Sequence, residues 1–192
     1  MEAFLVSTGV VALAEIGDKT QLLALVLAAR FGKPLPIILG ILVATLANHA
    51  LAGAMGAWLA SLVGPVAMRW ILGLSFVAMA IWMLVPDALD DGADDRRHPQ
   101  LGVFGTTLVA FFLLEMGDKT QIATVALAAR YASLASVVAG TTLGMMLANV
   151  PAVLLGEVAA RKLPMRLVHG IAGAIFLAMG VLVLLGVGAA TR

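Results

Sequence analysis

Long apolar runs, separated by short clusters of charged residues, glycine and proline, dominate the pattern along this chain. The apolar positions are continuous rather than alternating, which indicates helices and excludes membrane-spanning strands. A helix crosses a hydrocarbon core of about 30 Å with roughly 20 residues, and each run is at least that long. The pattern predicts an all-α, polytopic membrane protein with six transmembrane helices. These helices are predicted at 3–29, 35–61, 66–86, 102–129, 133–160 and 165–188.

The sequence contains an internal repeat. The stretch "EIGDKTQLLALVLAAR" from Glu15 and the stretch "EMGDKTQIATVALAAR" from Glu115 agree at ten of sixteen positions. Further along, "GLSFVAMA" from Gly73 resembles "GAIFLAMG" from Gly173 at the same offset. A register kept over this distance indicates that the chain consists of two copies of one unit.

Each copy contains three predicted spans, which is an odd number. The second copy must therefore enter the membrane from the opposite side, so we expect two inverted three-helix repeats. The first repeat is predicted at 1–86, an acidic linker at 87–101 and the second repeat at 102–192.

Composition and charge narrow the class of protein further. Hydrophobic residues make up 62% of the chain, charged residues 12%, and there is no cysteine. The absence of cysteine removes disulfides and thiolate metal sites, and a net charge of +1 gives no reason to expect nucleic acid as a partner. The expected surroundings are a lipid bilayer, most simply the inner membrane of a bacterium.

Lysine and arginine in the predicted loops indicate the orientation, because they accumulate on the cytoplasmic side. Seven lie on the side of the linker and three on the other, which predicts a cytoplasmic linker and both termini outside. The seven are Arg30, Lys33, Arg96, Arg97, Arg161, Lys162 and Arg166, and the three are Arg69, Arg130 and Arg192.

Four acidic residues lie close to the midpoints of the first and fourth predicted helices: Glu15, Asp18, Glu115 and Asp118. A single ionised carboxylate at the centre of a bilayer costs about 2.5 to 3.5 kcal/mol on insertion scales, so such residues mark a function more often than packing. The alternative is an intramembrane salt bridge that only fixes the helices. On a continuous helix, residues three and four apart share a face, so each pair of acids would project together with the following lysine.

The two repeats together therefore predict one pocket with six charged groups. Lys19 and Lys119 bring its formal charge to minus two, which one divalent cation or two protons would match. Each lysine can be read either as a structural counter-ion or as a movable substitute for the cation. Oxygen ligands without cysteine or histidine favour Ca²⁺, Mn²⁺ and Mg²⁺ over Zn²⁺ and Cu⁺.

Other polar residues near the motif are candidates for supporting roles. Gly17 and Gly117 interrupt the predicted helices and would let backbone carbonyls turn toward an ion. Oxygen atoms or amides one turn further on are offered by Thr20, Gln21, Thr120 and Gln121.

Two asparagines, Asn48 and Asn149, lie at the midpoints of the second and fifth predicted helices. Their amides would complete a metal site, although hydrogen bonding between helices is an alternative role. Pro151 should kink the fifth helix and free a carbonyl there. His49 has no counterpart in the second repeat and is interpreted as a packing or vestibule residue.

The signature E-x-G-D-K-T, present as "EIGDKTQ" and "EMGDKTQ" in a six-helix chain with an acidic linker, resembles a known family of cation/proton exchangers. That family includes bacterial manganese exporters and eukaryotic Golgi manganese and calcium transporters. The resemblance covers essentially the whole chain. It implies transport of Mn²⁺, with Ca²⁺ as a second candidate, in exchange for H⁺, with the motif acids as metal ligands, no cofactor, and export as the direction.

Two other functions remain open from the residues alone. An exporter of small organic cations or amino acids would use the acids to bind an ammonium group, but would need a larger pocket with apolar or aromatic walls. A membrane scaffold or an intramembrane enzyme ranks last, because no nucleophile or histidine base stands beside the acids in the sequence, and an enzyme is not expected. The sequence does not fix the oligomeric state.

Overall fold

The computed structural model describes residues 1–84, 101–155 and 165–186. Within these ranges the chain is entirely helical apart from short connections, which confirms the predicted all-α class. The described residues form eight helices, which are α1 Glu2–Glu15, α2 Lys19–Phe31, α3 Pro34–Leu62, α4 Pro65–Trp82, α5 Gly102–Glu115, α6 Lys119–Arg130, α7 Leu134–Leu155 and α8 Met165–Leu184. The linker at 87–101 falls almost wholly outside the described residues, as do several of the basic residues on which the predicted orientation depends.

Four helices in the described ranges are long and apolar enough to cross a membrane by themselves. They are Pro34–Leu62, Pro65–Trp82, Leu134–Leu155 and the segment Leu167–Leu184 of α8. Large apolar side chains on the outside of the bundle, such as Trp58 and Ile81, are more than 60% exposed. An outer surface of this kind suits a lipid environment, so the chain is a membrane protein with several apolar helices.

The first and fourth predicted spans are not single helices. The segment predicted at 3–29 consists of α1 and α2, and the segment predicted at 102–129 consists of α5 and α6. Each pair is separated by three residues centred on Gly17 or Gly117, whose φ angles are 84° and 79°. Only glycine adopts this backbone conformation without strain, so the helix stops where the sequence places glycine inside the motif. We call these two interruptions the first break (16–18) and the second break (116–118).

The two longest helices, α3 and α7, each pack against the broken helix of the other half. Helix α7 contacts α1 and α2, and helix α3 contacts α5 and α6. Glycines allow this close approach: a Cβ atom on Gly140 would lie 2.5 Å from the Phe4 carbonyl oxygen, and one on Gly40 would lie 2.8 Å from Thr107 Cβ. Small residues at such crossings let helix backbones approach closely inside a membrane. The breaks are therefore held by helices from the opposite half.

Helices α4 and α8 form the second large contact of the bundle. Phe76 and Phe176, which correspond at the repeat offset, lie with their ring centroids 6.2 Å apart. Gly180 lies against Gly73 near one end of the contact, and Gly173 lies against the Ala80 carbonyl near the other. Residue numbers fall along α8 as they rise along α4, so the two equivalent helices run antiparallel.

Pro151 lies inside α7, which continues through it from Leu134 to Leu155. Proline has no N–H, so the helix carbonyl four residues earlier is left without its usual donor. The neighbouring Ala148 carbonyl accepts a hydrogen bond of 3.1 Å from Gln21 Nε2 on α2. This contact ties the start of α2 to α7 close to the first break.

Candidate metal site at the helix breaks

The backbone of the two breaks follows one design. Glu15 and Glu115 are the last residues of α1 and α5, and Asp18 and Asp118 occupy the N-cap positions of α2 and α6 in extended conformation. In each break the aspartate N–H donates a hydrogen bond of 3.1 Å to the glutamate carbonyl. The negative end of one helix dipole and the positive end of the next therefore meet at each motif.

This geometry corrects the sequence argument that placed the motif residues on one helical face. Because the helix is broken at Gly17, Glu15 belongs to α1 and Lys19 begins α2, and the rule for residues three and four apart does not apply. The acids converge because two helix ends meet at each break. The sequence did contain the signal, since glycine stands inside both copies of the motif.

Three of the four predicted acids form one buried cluster. One carboxylate oxygen of each of Glu15, Glu115 and Asp118 lies within 4.8 Å of the others. Both glutamates have no exposed surface, and Asp118 is 3% exposed. Asp18 is equally buried and acts electrostatically on Glu115 and on Lys19. The two halves of the chain thus supply carboxylates to a common site.

One oxygen of each clustered carboxylate is held by a side-chain donor. Thr20 Oγ1 donates to Glu15 Oε2 at 2.6 Å, and Thr120 Oγ1 donates to Glu115 Oε2 at 3.2 Å. Lys19 Nζ contacts Asp118 Oδ1 at 2.7 Å. The remaining oxygens, which are Glu15 Oε1, Glu115 Oε1 and Asp118 Oδ2, are buried and have no hydrogen-bond partner.

In both predicted asparagines, the amide nitrogen donates a hydrogen bond and the amide oxygen has no partner. Asn48 Nδ2 donates to the Phe112 carbonyl at 3.1 Å, and Asn149 Nδ2 donates to the Met145 carbonyl at 3.1 Å. Both side chains are almost completely buried, and the Oδ1 atom of each has no partner. Asn149 also lies next to the carboxyl group of Glu15. A buried oxygen without a donor is costly, and several such oxygens close together can be satisfied by a cation.

The other predicted polar residues orient the site rather than fill it. The side-chain oxygens of Gln21 and Gln121 accept hydrogen bonds from the N–H groups of Gly17 and Gly117, at 2.9 and 2.6 Å. The threonine hydroxyls point their hydrogens at the glutamates. These contacts fix the backbone of the breaks and the carboxylates.

The described residues include two histidines, His49 on α3 and His169 on α8. His49 follows Asn48, is completely buried, and has no hydrogen-bond partner at either ring nitrogen. It was interpreted as a packing or vestibule residue, and its burial fits packing, although its nitrogens are unsatisfied. His169, on α8, was not singled out in the sequence; its Nε2 lies 2.9 Å from the Ile16 carbonyl in the first break.

Comparison with known proteins decides the family. The family model described as "Divalent cation/proton antiporter GDT1" matches the chain over residues 3–91 and 103–190. The chain belongs to this family. The antiporter is also 50% identical over 180 residues to a Vibrio cholerae serotype O1 protein described as "Putative manganese exporter"; the alignment covers 93% of this chain and 88% of the relative. No solved structure matches the antiporter.

Membership of this family confirms the resemblance drawn from the two E-x-G-D-K-T motifs, and with it the expectation of divalent cation transport coupled to protons. The two matched segments together leave out little more than residues 92–102, so the relationship rests on both halves of the antiporter and on both breaks.

Proposed function

We propose that this antiporter exports Mn²⁺ in exchange for H⁺, with Glu15, Glu115, Asp118, Asn48 and Asn149 as ligands. The observation that carries the proposal is the set of buried oxygens without partners, one from each of these residues. Donors hold the other oxygen of each carboxylate, and the two asparagine amides donate to backbone carbonyls, so the unpartnered oxygens would be left for a cation. Asp18 completes the set of motif acids and is assigned to the same site.

The size of the carboxylate cluster supports a bare metal ion. Oxygen ligands lie about 2.0 to 2.6 Å from Mg²⁺ or Ca²⁺, so two ligands of one ion are at most about 4.0 to 5.2 Å apart. The three carboxylate oxygens lie within 4.8 Å of one another, which is inside the upper limit of about 5.2 Å for Ca²⁺ and above the limit of about 4.2 Å for Mg²⁺. A small organic cation, the alternative considered from the sequence, would need a wider space between its ligands.

The choice of Mn²⁺ rests on ligand chemistry and on the described relative. An all-oxygen site suits Mn²⁺, Ca²⁺ and Mg²⁺. The relative that is 50% identical is described as a manganese exporter. Ca²⁺ remains the second ion to test.

Exchange for protons follows from the charge of the site. The four motif acids and two lysines have a formal charge of minus two, so one dication or two protons would neutralise the pocket. Carboxylates this close together cannot all stay ionised without a cation, because like charges disfavour one another's ionised form. Release of the metal would therefore be accompanied by proton uptake at the same oxygens.

The proposed architecture is two inverted repeats of three spans, at 1–86 and 102–192, joined by the linker at 87–101. In this scheme α1 with α2 forms the first span and α5 with α6 the fourth. The antiparallel contact between α4 and α8, with Phe76 against Phe176, is what a pseudo-two-fold axis in the membrane plane would produce. The reciprocal packing of α7 on α1 and of α3 on α5 supports the same axis.

The proposed location is a bacterial inner membrane, with the linker in the cytoplasm and both termini outside. The bacterial relative and the positive-inside rule applied to the loop lysines and arginines support this orientation. Export would then carry Mn²⁺ from the linker side to the side of the termini.

The test is Mn²⁺ uptake into proteoliposomes that contain the purified antiporter. With an acidic interior, protons leaving the vesicle should drive Mn²⁺ inward, and the uptake should disappear when an ionophore removes the gradient. Uptake that ignores the gradient would contradict proton coupling.

Glu15→Gln and Asp118→Asn should each abolish this uptake while leaving the protein folded, because each removes a charged ligand. Glu2→Gln is the matched control, since Glu2 is an exposed carboxylate on α1 that accepts a hydrogen bond from Tyr131. Normal uptake by both site variants would remove these acids from the mechanism. Competition by millimolar choline or arginine but not by Ca²⁺ would instead favour the organic-cation alternative.

A further inference from the structure

The carbonyl of Ile16 lies in the unwound backbone of the first break, between Glu15 and Gly17. The Nε2 atom of His169, on α8, lies 2.9 Å from this carbonyl oxygen. A carbonyl oxygen only accepts hydrogen bonds, so Nε2 must carry the hydrogen. This bond connects the break to a helix that contributes none of the proposed ligands.

Three polar backbone groups at the centre of the first break are satisfied by a defined partner. The Gly17 N–H is bonded to Gln21 Oε1, and the Asp18 N–H is bonded to the Glu15 carbonyl. The bond from His169 completes this set at Ile16. Unwound backbone inside a membrane is tolerated only where its polar groups find such partners, because lipid supplies none.

The second break differs at the corresponding position. Residue 69 corresponds to residue 169 at the repeat offset, and it is an arginine. The guanidinium carbon of Arg69 lies 5.9 Å from the centroid of the Trp70 ring. Met116, the counterpart of Ile16, is 58% exposed. At the position that corresponds to His169, the second break is therefore offered an arginine and not a histidine.

We infer that His169 is a positioning residue of the antiporter: its hydrogen bond to the Ile16 carbonyl fixes the first break and thereby the carboxylate of Glu15. The inference rests on the proposed function, because Glu15 is one of the proposed ligands. Ile16 directly follows Glu15 in the chain. A rotation of the peptide group that contains the Ile16 carbonyl therefore also shifts the backbone at Glu15 and the direction of its side chain. The bond makes the first break the more rigid of the two.

Hydrogen–deuterium exchange of the purified full chain tests the rigidity without reference to transport. In His169→Leu, amide exchange in peptides covering residues 13–24 should become about fivefold faster, which corresponds to the loss of roughly one hydrogen bond. Peptides covering residues 113–124 should exchange as in the wild type. In His169→Gln, whose amide N–H is a donor of similar reach, exchange at the first break should stay close to wild type.

Mn²⁺ transport supplies the second measurement. His169→Leu should raise KM about tenfold and change the maximal rate less than about twofold, because a displaced ligand weakens ion binding. His169→Gln should restore KM. Arg69→Leu, at the equivalent position of the first half, is the matched control, and it should leave KM and exchange at the first break unchanged.

The outcomes separate this inference from the proposed function. Unchanged exchange at the first break in His169→Leu would overturn the inference, whatever the transport assays give. Faster exchange confined to that break, in a protein that transports no Mn²⁺, would support the bond and contradict the proposed function. Faster exchange throughout the chain, or an equal effect in Arg69→Leu, would show a general loss of packing and would overturn the positioning role.

Discussion

The two breaks contain the same motif, yet their side chains make different contacts. Thr20 holds Glu15 at 2.6 Å, whereas Thr120 holds Glu115 at 3.2 Å. Asn48 donates to a carbonyl of the opposite half, whereas Asn149 donates to a carbonyl one turn back in its own helix. The duplicated sequence therefore gives two similar backbones but one asymmetric site.

Asymmetry of this kind is informative for a transporter. Two equivalent halves that exchange their arrangements would open the site first to one side of the membrane and then to the other. The present arrangement is then one of two, and substitutions of matched residues in the two halves should have unequal effects. The predictions below use this inequality, from the largest expected effect to the smallest.

The largest effect concerns the glycines at the helix crossings. Gly140→Ala should lower the stability of the antiporter by about 3 kcal/mol, because the new Cβ atom meets the Phe4 backbone, which cannot move aside without displacing α1. Gly40→Ala should cost less, about 2 kcal/mol, because part of the clash is with the Thr107 side chain. Thermal unfolding in detergent measures both.

Gly9→Ala is the control for these variants. Among the described residues, no atom outside the helical turn around Gly9 lies within 4 Å of its Cβ position, and alanine favours a helix over glycine by roughly 0.5 to 1 kcal/mol. This variant should unfold at the same or a higher temperature. If Gly140→Ala were as stable as Gly9→Ala, the close packing of α7 on α1 would be wrong.

The asparagines come next. Asn48→Ala and Asn149→Ala should each raise KM for Mn²⁺ about tenfold, which corresponds to about 1.4 kcal/mol for one neutral ligand. Asn48→Ala should also lower the thermal stability by about 1 kcal/mol more than Asn149→Ala, because it leaves the Phe112 carbonyl of the other half without a donor. Transport assays and thermal unfolding, carried out on both variants, measure the two effects. Equal stability of the two variants would argue against the contact between halves.

Lys19 gives a prediction of opposite sign. Lys19→Met removes the positive charge beside Asp118 and should tighten Mn²⁺ binding by about fivefold at equilibrium, since a cation no longer has to share that carboxylate. Lys19→Arg keeps the charge and should bind like the wild type. Isothermal titration with Mn²⁺ in detergent gives the affinities. Weaker binding by Lys19→Met would mean that the lysine stabilises the occupied site.

The smallest effect separates the two threonines. Thr20→Val should raise KM for Mn²⁺ about fourfold and Thr120→Val about twofold, because the shorter hydrogen bond to a carboxylate is the stronger one. Serine at each position keeps the hydroxyl and should retain the wild-type KM. A larger effect of Thr120→Val would show that the bond from Thr120 to Glu115 is the stronger of the two in the transporting state.

Much of the fold was predictable because the bilayer restricts the choice. Apolar runs of spanning length must be helices, and the structure bears this out for the four long helices α3, α4, α7 and α8. The first and fourth segments were predicted as continuous, although Gly17 and Gly117 were recognised as interruptions. The prediction of two continuous helices took the length of each apolar run as the length of one helix. A run can stay apolar where the backbone unwinds, so this step was wrong.

The candidate site was predictable in its residues but not in its geometry. Buried acids are rare enough in apolar runs to identify Glu15, Glu115 and Asp118 from the sequence. Their meeting at helix ends, and the contact of Lys19 with the aspartate of the other half, depend on how α3 and α7 hold the breaks. His169 carried no signal, because a single histidine near the start of an apolar helix has no pattern to mark it.

The sequence by itself determined the chemical character of this antiporter: an apolar, duplicated chain with carboxylates, amides and glycines at matching positions. Those features are local, since they depend on residue type and on spacing along one segment. Only the tertiary structure decided which of these carboxylates and amides lie together. The reason is that the convergence of the carboxylates, the ion pair of Lys19 with Asp118 and the hydrogen bond from Asn48 to Phe112 join segments far apart in sequence, which only helix packing brings together.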